Sequence, residues 1–255
     1  MKKLEALKKP FLFTLCMLPV AVVGGWFTAE YSLANLDEDL LEQALAQGGS
    51  RELLLISSLI SIIIYVVICS FFGYIVAEKL GLIKPLRFTK KETLTALLWG
   101  AAAGLVLCAD AFTFAKWIPE LKDYYAAAGS FDTVTWISAV LYGGIIEEVM
   151  MRLFFMSLTA LIIRKLFCRK AETVPEKVLI IANIIAAALF AAGHLPSTAN
   201  MFGSLTPMLV FRCFLLNGSF GLVFGWLYRK YGLQYAMAAH MITHIVSKTI
   251  WLIVL

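Results

Sequence analysis

VTWISAVLYGGIIEEVMMRLFFMSLTALII, residues 134–163, is the stretch on which the fold turns. A helix of about 20 mostly apolar residues crosses the hydrocarbon of a bilayer, so this run is long enough to span with a tilt or to protrude. Glu147, Glu148 and Arg152 nevertheless stand in its middle. A charge at the centre of a spanning helix costs about 2.5–3.5 kcal/mol on insertion scales, which makes such residues functional candidates by default.

On either side of this run the chain repeats the same texture. Apolar runs at 11–29, 54–77, 94–115, 178–194, 207–228 and 234–255 are separated by short polar loops, with no internal repeat. Of the 255 residues 61% are hydrophobic and 15% charged, and the mean hydropathy is +0.84, against about 45–50% and about 25% in soluble domains. That composition excludes a soluble enzyme, a disordered chain and a nucleic-acid-binding domain. The five cysteines stand singly, without metal-ligand spacing, and read as reduced packing residues. The pattern predicts an all-α, polytopic transmembrane helical bundle of seven spans, or eight if a short helix lies between them. It forms a single transmembrane domain over 1–255, with its core helices within 134–250. The acidic loop from Asn35 to Glu52 can carry a short surface helix.

Of the 22 Lys and Arg, sixteen fall in the N-terminal tail and in the loops after the second, fourth and sixth spans. Arg51, Lys116 and Lys122 fall on the opposite side. Short basic loops stay in the cytoplasm, so the N-terminus is expected there, in a plasma (inner) membrane protein whose immediate partner is the lipid bilayer. The first run is expected to be a retained anchor rather than a cleaved signal.

Ionisable groups recur in the second half of the chain. All three histidines lie in spans: His194 at the end of the fifth, four residues after Phe190, and His240 and His244 in the seventh. Glu148 and Arg152, four apart, share a helix face and can pair. Glu147 points about 100° away on an α-helix and has no partner on its own segment. Gly143 and Gly144 leave room for close approach. His240 and His244 share a polar stripe with Ala236, Thr243 and Ser247 that should face the bundle interior. Amide hydrolysis needs a base to deprotonate water and donors or a metal to hold the tetrahedral oxyanion. Glu147 with His194 can supply the first, and His240 with His244 the second. Alternatively, His194, His240 and His244 could hold Zn²⁺ with Glu147 as base. The spacing leaves both open, since Met241 stands where a zincin HExxH motif has its Glu.

Taken in order, Glu147-Glu148-x-x-x-Arg152, Phe190-x-x-x-His194 and His240-x-x-x-His244 resemble the EExxxR, FxxxH and HxxxN motifs of the CAAX protease and bacteriocin-processing (CPBP, or Abi) family of intramembrane proteases. The likeness covers about residues 140–247. It implies a hydrolase acting on a membrane-associated or hydrophobic peptide or protein, by a glutamate-type or a metalloprotease mechanism. It also implies that Glu147 and His194 activate water, that His240 and His244 lie near the oxyanion, and that Glu148, Arg152 and Phe190 support them. His244 departs from the Asn common in the family, which makes a metal site more plausible. The cofactor is thus expected to be none or Zn²⁺, with no nucleic acid as partner. Two other functions fit buried Glu and His residues: a proton-coupled membrane transporter, and a non-catalytic immunity or scaffold protein.

Straight spans would put His194 near the outer end, Glu147 at mid-membrane and His240 nearer the cytoplasm. Convergence therefore requires staggered helices or an inward dip of residues 195–206, between Pro196 and Pro207. Asp110 and Arg212 can pair across the bundle or simply lie near the ends of their spans. Gly218, Gly221 and Gly225 should form a close helix-packing face.

Overall fold

The computed structural model describes residues 2–127 and 132–254, which are almost wholly helical, with no strand among them. That follows from the solvent: hydrocarbon offers backbone amides no partner, so each N–H must find its carbonyl within the same helix. The helices are α1 (Lys2–Ala34), α2 (Glu38–Gly48), α3 (Arg51–Lys79), α4 (Lys90–Ala109), α5 (Pro119–Ala127), α6 (Thr133–Ser138), α7 (Ser157–Phe167), α8 (Glu176–Gly193), α9 (Leu195–Phe202), α10 (Pro207–Cys213), α11 (Ser219–Tyr231) and α12 (Leu233–Val254). Polar caps at the loops start several of them. Ser50 caps α3, Thr206 caps α10, and Thr89 accepts from the Glu92 N–H at 3.4 Å while its hydroxyl donates to the Glu92 carboxylate at 2.8 Å.

Among the described residues six helices are long and apolar enough to cross a membrane: Glu5–Ala34, Arg51–Lys79, Lys90–Lys116, Glu176–Phe202, Pro207–Tyr231 and Leu233–Ile253. They coincide with six of the seven apolar runs. The remaining run, 134–163, lies inside an unbroken helical stretch over 133–167 whose three central charges set it apart. The expected surface helix in the acidic loop is α2, capped by Asp37. Two further short helices were not anticipated. α5 and α9 meet through Tyr124 and Phe202, with ring centroids 5.5 Å apart. With Ala115, Ile118, Leu121 and Leu209 they form a small second core at the end of the bundle away from the basic loops.

The central stretch is not a plain α-helix. Ala139–Ile146 and Val149–Met156 are wound as π-helix, with Glu147 and Glu148 between them. The Glu147 N–H donates to the carbonyl of Tyr142, five residues back. Such windings in otherwise α-helical segments concentrate at functional sites. Sequence periodicity, read at 3.6 residues per turn, misses this. The main core gathers around the stretch: Ile146, Val149, Leu153 and Met156 are buried with Val66 of α3, Phe224 of α11 and Ala239 of α12.

Small residues set the helix spacing. A Cβ on Gly144 would lie 2.9 Å from the Met241 Cα and 3.0 Å from its N, so α12 passes directly over that glycine. Gly225 faces the Asn183 side chain with no room for a methyl, and a Cβ on Gly221 would lie 3.2 Å from Ala187. Gly221 and Gly225 thus give the expected close packing face, which meets α8, while a Cβ on Gly218 would lie a looser 3.8 Å from Ala191.

Candidate active site

Three helical segments meet at the two glutamates. Glu148, fully buried, accepts a hydrogen bond at 2.9 Å on Oε1 from the His240 Nδ1–H and lies 3.3 Å through Oε2 from the Arg152 Nε. The Glu148–Arg152 pair is therefore formed as the four-residue spacing required. Arg152 also donates through Nη2 to the Gly221 carbonyl at 3.2 Å. Its guanidinium sits over the rings of Phe190 and Phe224, 4.7 and 5.6 Å from their centroids. A cation in oil is tolerable here because a carboxylate, a carbonyl and two π faces surround it.

The chain continues along α12. His240 Nε2 lies 3.1 Å from His244 Nε2, with the two rings stacked at 4.9 Å. His240 also stacks on Phe224 at 4.5 Å. An ionised carboxylate can only accept, so the Nδ1–H of His240 is committed to Glu148. In the neutral ring Nε2 then carries the lone pair, and it accepts from the His244 Nε2–H. The stripe Ala236, His240, Thr243 and Ser247 is buried, as its polarity implied. Gly143 lies against the His244 ring, so the glycine pair admits α12 itself.

His194 caps α8 and starts α9, at the bend between them. Its Nδ1–H donates to the Phe190 carbonyl at 2.8 Å, leaving the Nε2 lone pair free. Phe190 is the common neighbour of the two helices, edge-on to His194 at 4.6 Å and to His240 at 5.9 Å. His194 thus lies at a break inside the Glu176–Phe202 helix, eight residues before its end, and comes within one ring of His240. The Glu147 side chain, partly buried, makes no hydrogen bond to any described residue. One π-turn before it, Tyr142 accepts a 2.7 Å hydrogen bond from the Tyr65 hydroxyl of α3.

Contacts therefore link Glu148, Arg152, His240, His244, Phe190 and His194, while Glu147 stands beside that network without a bond into it. Phe224, the Gly221 carbonyl and the Tyr65–Tyr142 pair escaped the sequence reading. All belong to apolar runs where nothing but three-dimensional proximity marks them. Asp110 and Arg212 do pair: the Arg212 Nε donates to Asp110 Oδ1 at 2.9 Å, and the Tyr125 hydroxyl donates to Oδ2 at 2.7 Å. Among the described residues no group of three or more His, Cys, Asp or Glu is arranged to hold a metal ion. The two α12 imidazoles point their Nε2 atoms at each other, and no third donor joins them.

Residues 129–246, a little under half of the chain, match the family model described as Type II CAAX prenyl endopeptidase Rce1-like. All three motifs fall inside that stretch, and the resemblance to the CAAX protease family is borne out over it. Comparisons with curated proteins and with solved structures gave no match.

Proposed function

We propose, with that family match as the premise, that the chain is an intramembrane endopeptidase hydrolysing a peptide bond in a membrane-associated or hydrophobic peptide. The observation that supports this most is the 2.9 Å bond from His240 to Glu148, which ties the helix bearing the paired carboxylates to the helix bearing the paired imidazoles. A structural ion pair needs no such partner. A site that must present imidazole nitrogens in one tautomer does.

The roles follow from what each group has left over. Glu147, which makes no hydrogen bond to any described residue, takes a proton from water as that water's oxygen bonds to the scissile carbonyl carbon. His194, with Nδ1 committed to a backbone carbonyl, holds the same water through its Nε2 lone pair. The tetrahedral oxyanion is met by the imidazole N–H of His244, held in place beforehand by His240, whose own N–H stays with Glu148. His244 frees its Nε2–H for the oxyanion by releasing His240. Collapse of the intermediate breaks the C–N bond as Glu147 returns its proton to the leaving amine. Glu148 and Arg152 fix the His240 ring. Every step is assigned to side chains of this chain, none through a metal ion.

The test is cleavage of a farnesylated peptide ending in a Cys-aliphatic-aliphatic-X sequence by the protein in nanodiscs. Cleavage by the unmodified chain and none by Glu147→Gln at equal expression and thermal stability is the expected result. Equal cleavage by both overturns the assignment of Glu147.

A further inference from the structure

At the end of the bundle away from the basic loops a cavity of about 390 Å³ is lined by Ala111, Ala115, Lys116, Lys122 and Tyr125. Its two cations are unexpected there. Only Arg51, Lys116 and Lys122 were assigned to that side, and Arg51 is neutralised by Glu30 at 2.6 Å. The ammonium groups of Lys116 and Lys122 make no hydrogen bond or ion pair with any described residue. They converge on one concave surface although like charges repel.

The cavity is built on a firm wall. The Tyr125 hydroxyl is anchored to Asp110, itself held by Arg212, and its ring packs edge-on against Trp251 of α12 at 5.4 Å. Ala115, Ile118 and Leu121 of the same segment are buried in the second core. The lysines therefore project from a fixed platform.

Its distance from the chemistry is set by α12. Trp251 lies seven residues beyond His244, about 10 Å at about 1.5 Å per residue. Three extended residues reach about 10 Å. A substrate cut three residues before its end, as in a C-terminal Cys-a-a-X sequence, carries a free carboxylate that far from the scissile bond. We infer that Lys116 and Lys122 form the subsite for the terminal carboxylate of the peptide substrate, which rests on the peptidase reading above. Two ammonium groups recognise an anion at the end of the chain, so the enzyme measures the position of the cut from that terminus.

The experiment reads binding separately from turnover. Full-length protein carrying Glu147→Gln, in nanodiscs of zwitterionic lipid, is titrated with a farnesylated heptapeptide ending in Cys-Val-Val-Ala, as free acid and as C-terminal amide. The acid is expected to bind about tenfold more tightly, as two charge-assisted contacts allow. The added double substitution Lys116→Gln/Lys122→Gln should erase that difference, and because both lysines are exposed the fold should not suffer. Equal affinity of the two peptides, binding of neither, or a preference that survives the double substitution overturns the subsite. So does a double variant that loses co-purified anionic phospholipid while keeping its preference, which would make the cavity a headgroup site. Cleavage of acid and amide alike by the unmodified protein removes the subsite and leaves the peptidase; an acid preference without any cleavage does the reverse.

Discussion

His240 donates its Nδ1–H to Glu148, 2.9 Å away, although Glu147 is the neighbouring residue on the same turn. The paired carboxylates are thereby given different work. One is consumed in holding an imidazole and a guanidinium, and the other keeps its oxygens for a substrate or water.

Glu147→Gln should lower kcat by about 10²–10⁴, the usual contribution of a positioned general base. It should leave the thermal transition in detergent unchanged, because no hydrogen bond is lost. Initial rates on a fluorogenic lipopeptide, read beside a melting curve, check both halves.

Arg152→Met should act in the opposite way, through stability. It leaves Glu148 buried with one partner, and breaking a buried pair from one side costs about 3–5 kcal/mol. The melting temperature should fall sharply, and Glu148→Gln with Arg152→Met should recover part of the loss by removing the orphaned charge. A double variant no more stable than Arg152→Met would contradict the pairing.

His244→Asn should retain most activity, since an amide also presents an N–H at that position, whereas His244→Ala should lose about 10²–10³ in kcat as an oxyanion donor disappears. Parallel kcat measurements on the two variants decide it. Equal losses would show that the imidazole does something an amide cannot.

Gly144→Ala should push α12 off the central stretch, because the new methyl meets the Met241 backbone at 2.9 Å. Overpacking of this kind costs about 1–3 kcal/mol. Activity should fall more than stability, since the displaced helix carries both His240 and His244. Rates and melting curves on the same preparation separate the two effects.

Prolonged dialysis against 1,10-phenanthroline should leave cleavage intact. The expectation rests on donor placement, with the two Nε2 atoms 3.1 Å apart and facing each other and no third ligand grouped with them among the described residues. Loss of activity, restored by Zn²⁺, would reassign the imidazoles as metal ligands.

Much of this architecture was legible in the sequence because it rests on one-dimensional rules. Apolar runs of membrane length gave the long helices, a four-residue interval gave the Glu148–Arg152 pair, and the polar stripe of α12 gave its inward face. The four-residue interval of Gly221 and Gly225 likewise announced a close packing face, though not that α8 is the helix it meets. What stayed hidden depends on distance between segments. Which glutamate His240 selects is settled by the rotation of the central stretch, and its π-winding leaves no mark on hydrophobic periodicity. The Tyr65–Tyr142 bond joins residues 77 apart. The helices α5 and α9 are too short to register as apolar runs, yet α5 carries Lys122 and Tyr125 of the lysine cavity.

The winding before Glu147 also makes the protein unusually sensitive to chain length. One residue added between 139 and 146, beyond what the wide winding already absorbs, would turn its upstream half by about 100° against its downstream half. Tyr142 would swing off Tyr65 and the glycine pair would leave α12, although no side chain named in the chemistry had been exchanged. Gaps in an alignment at this place therefore carry as much weight as substitutions in the motifs themselves.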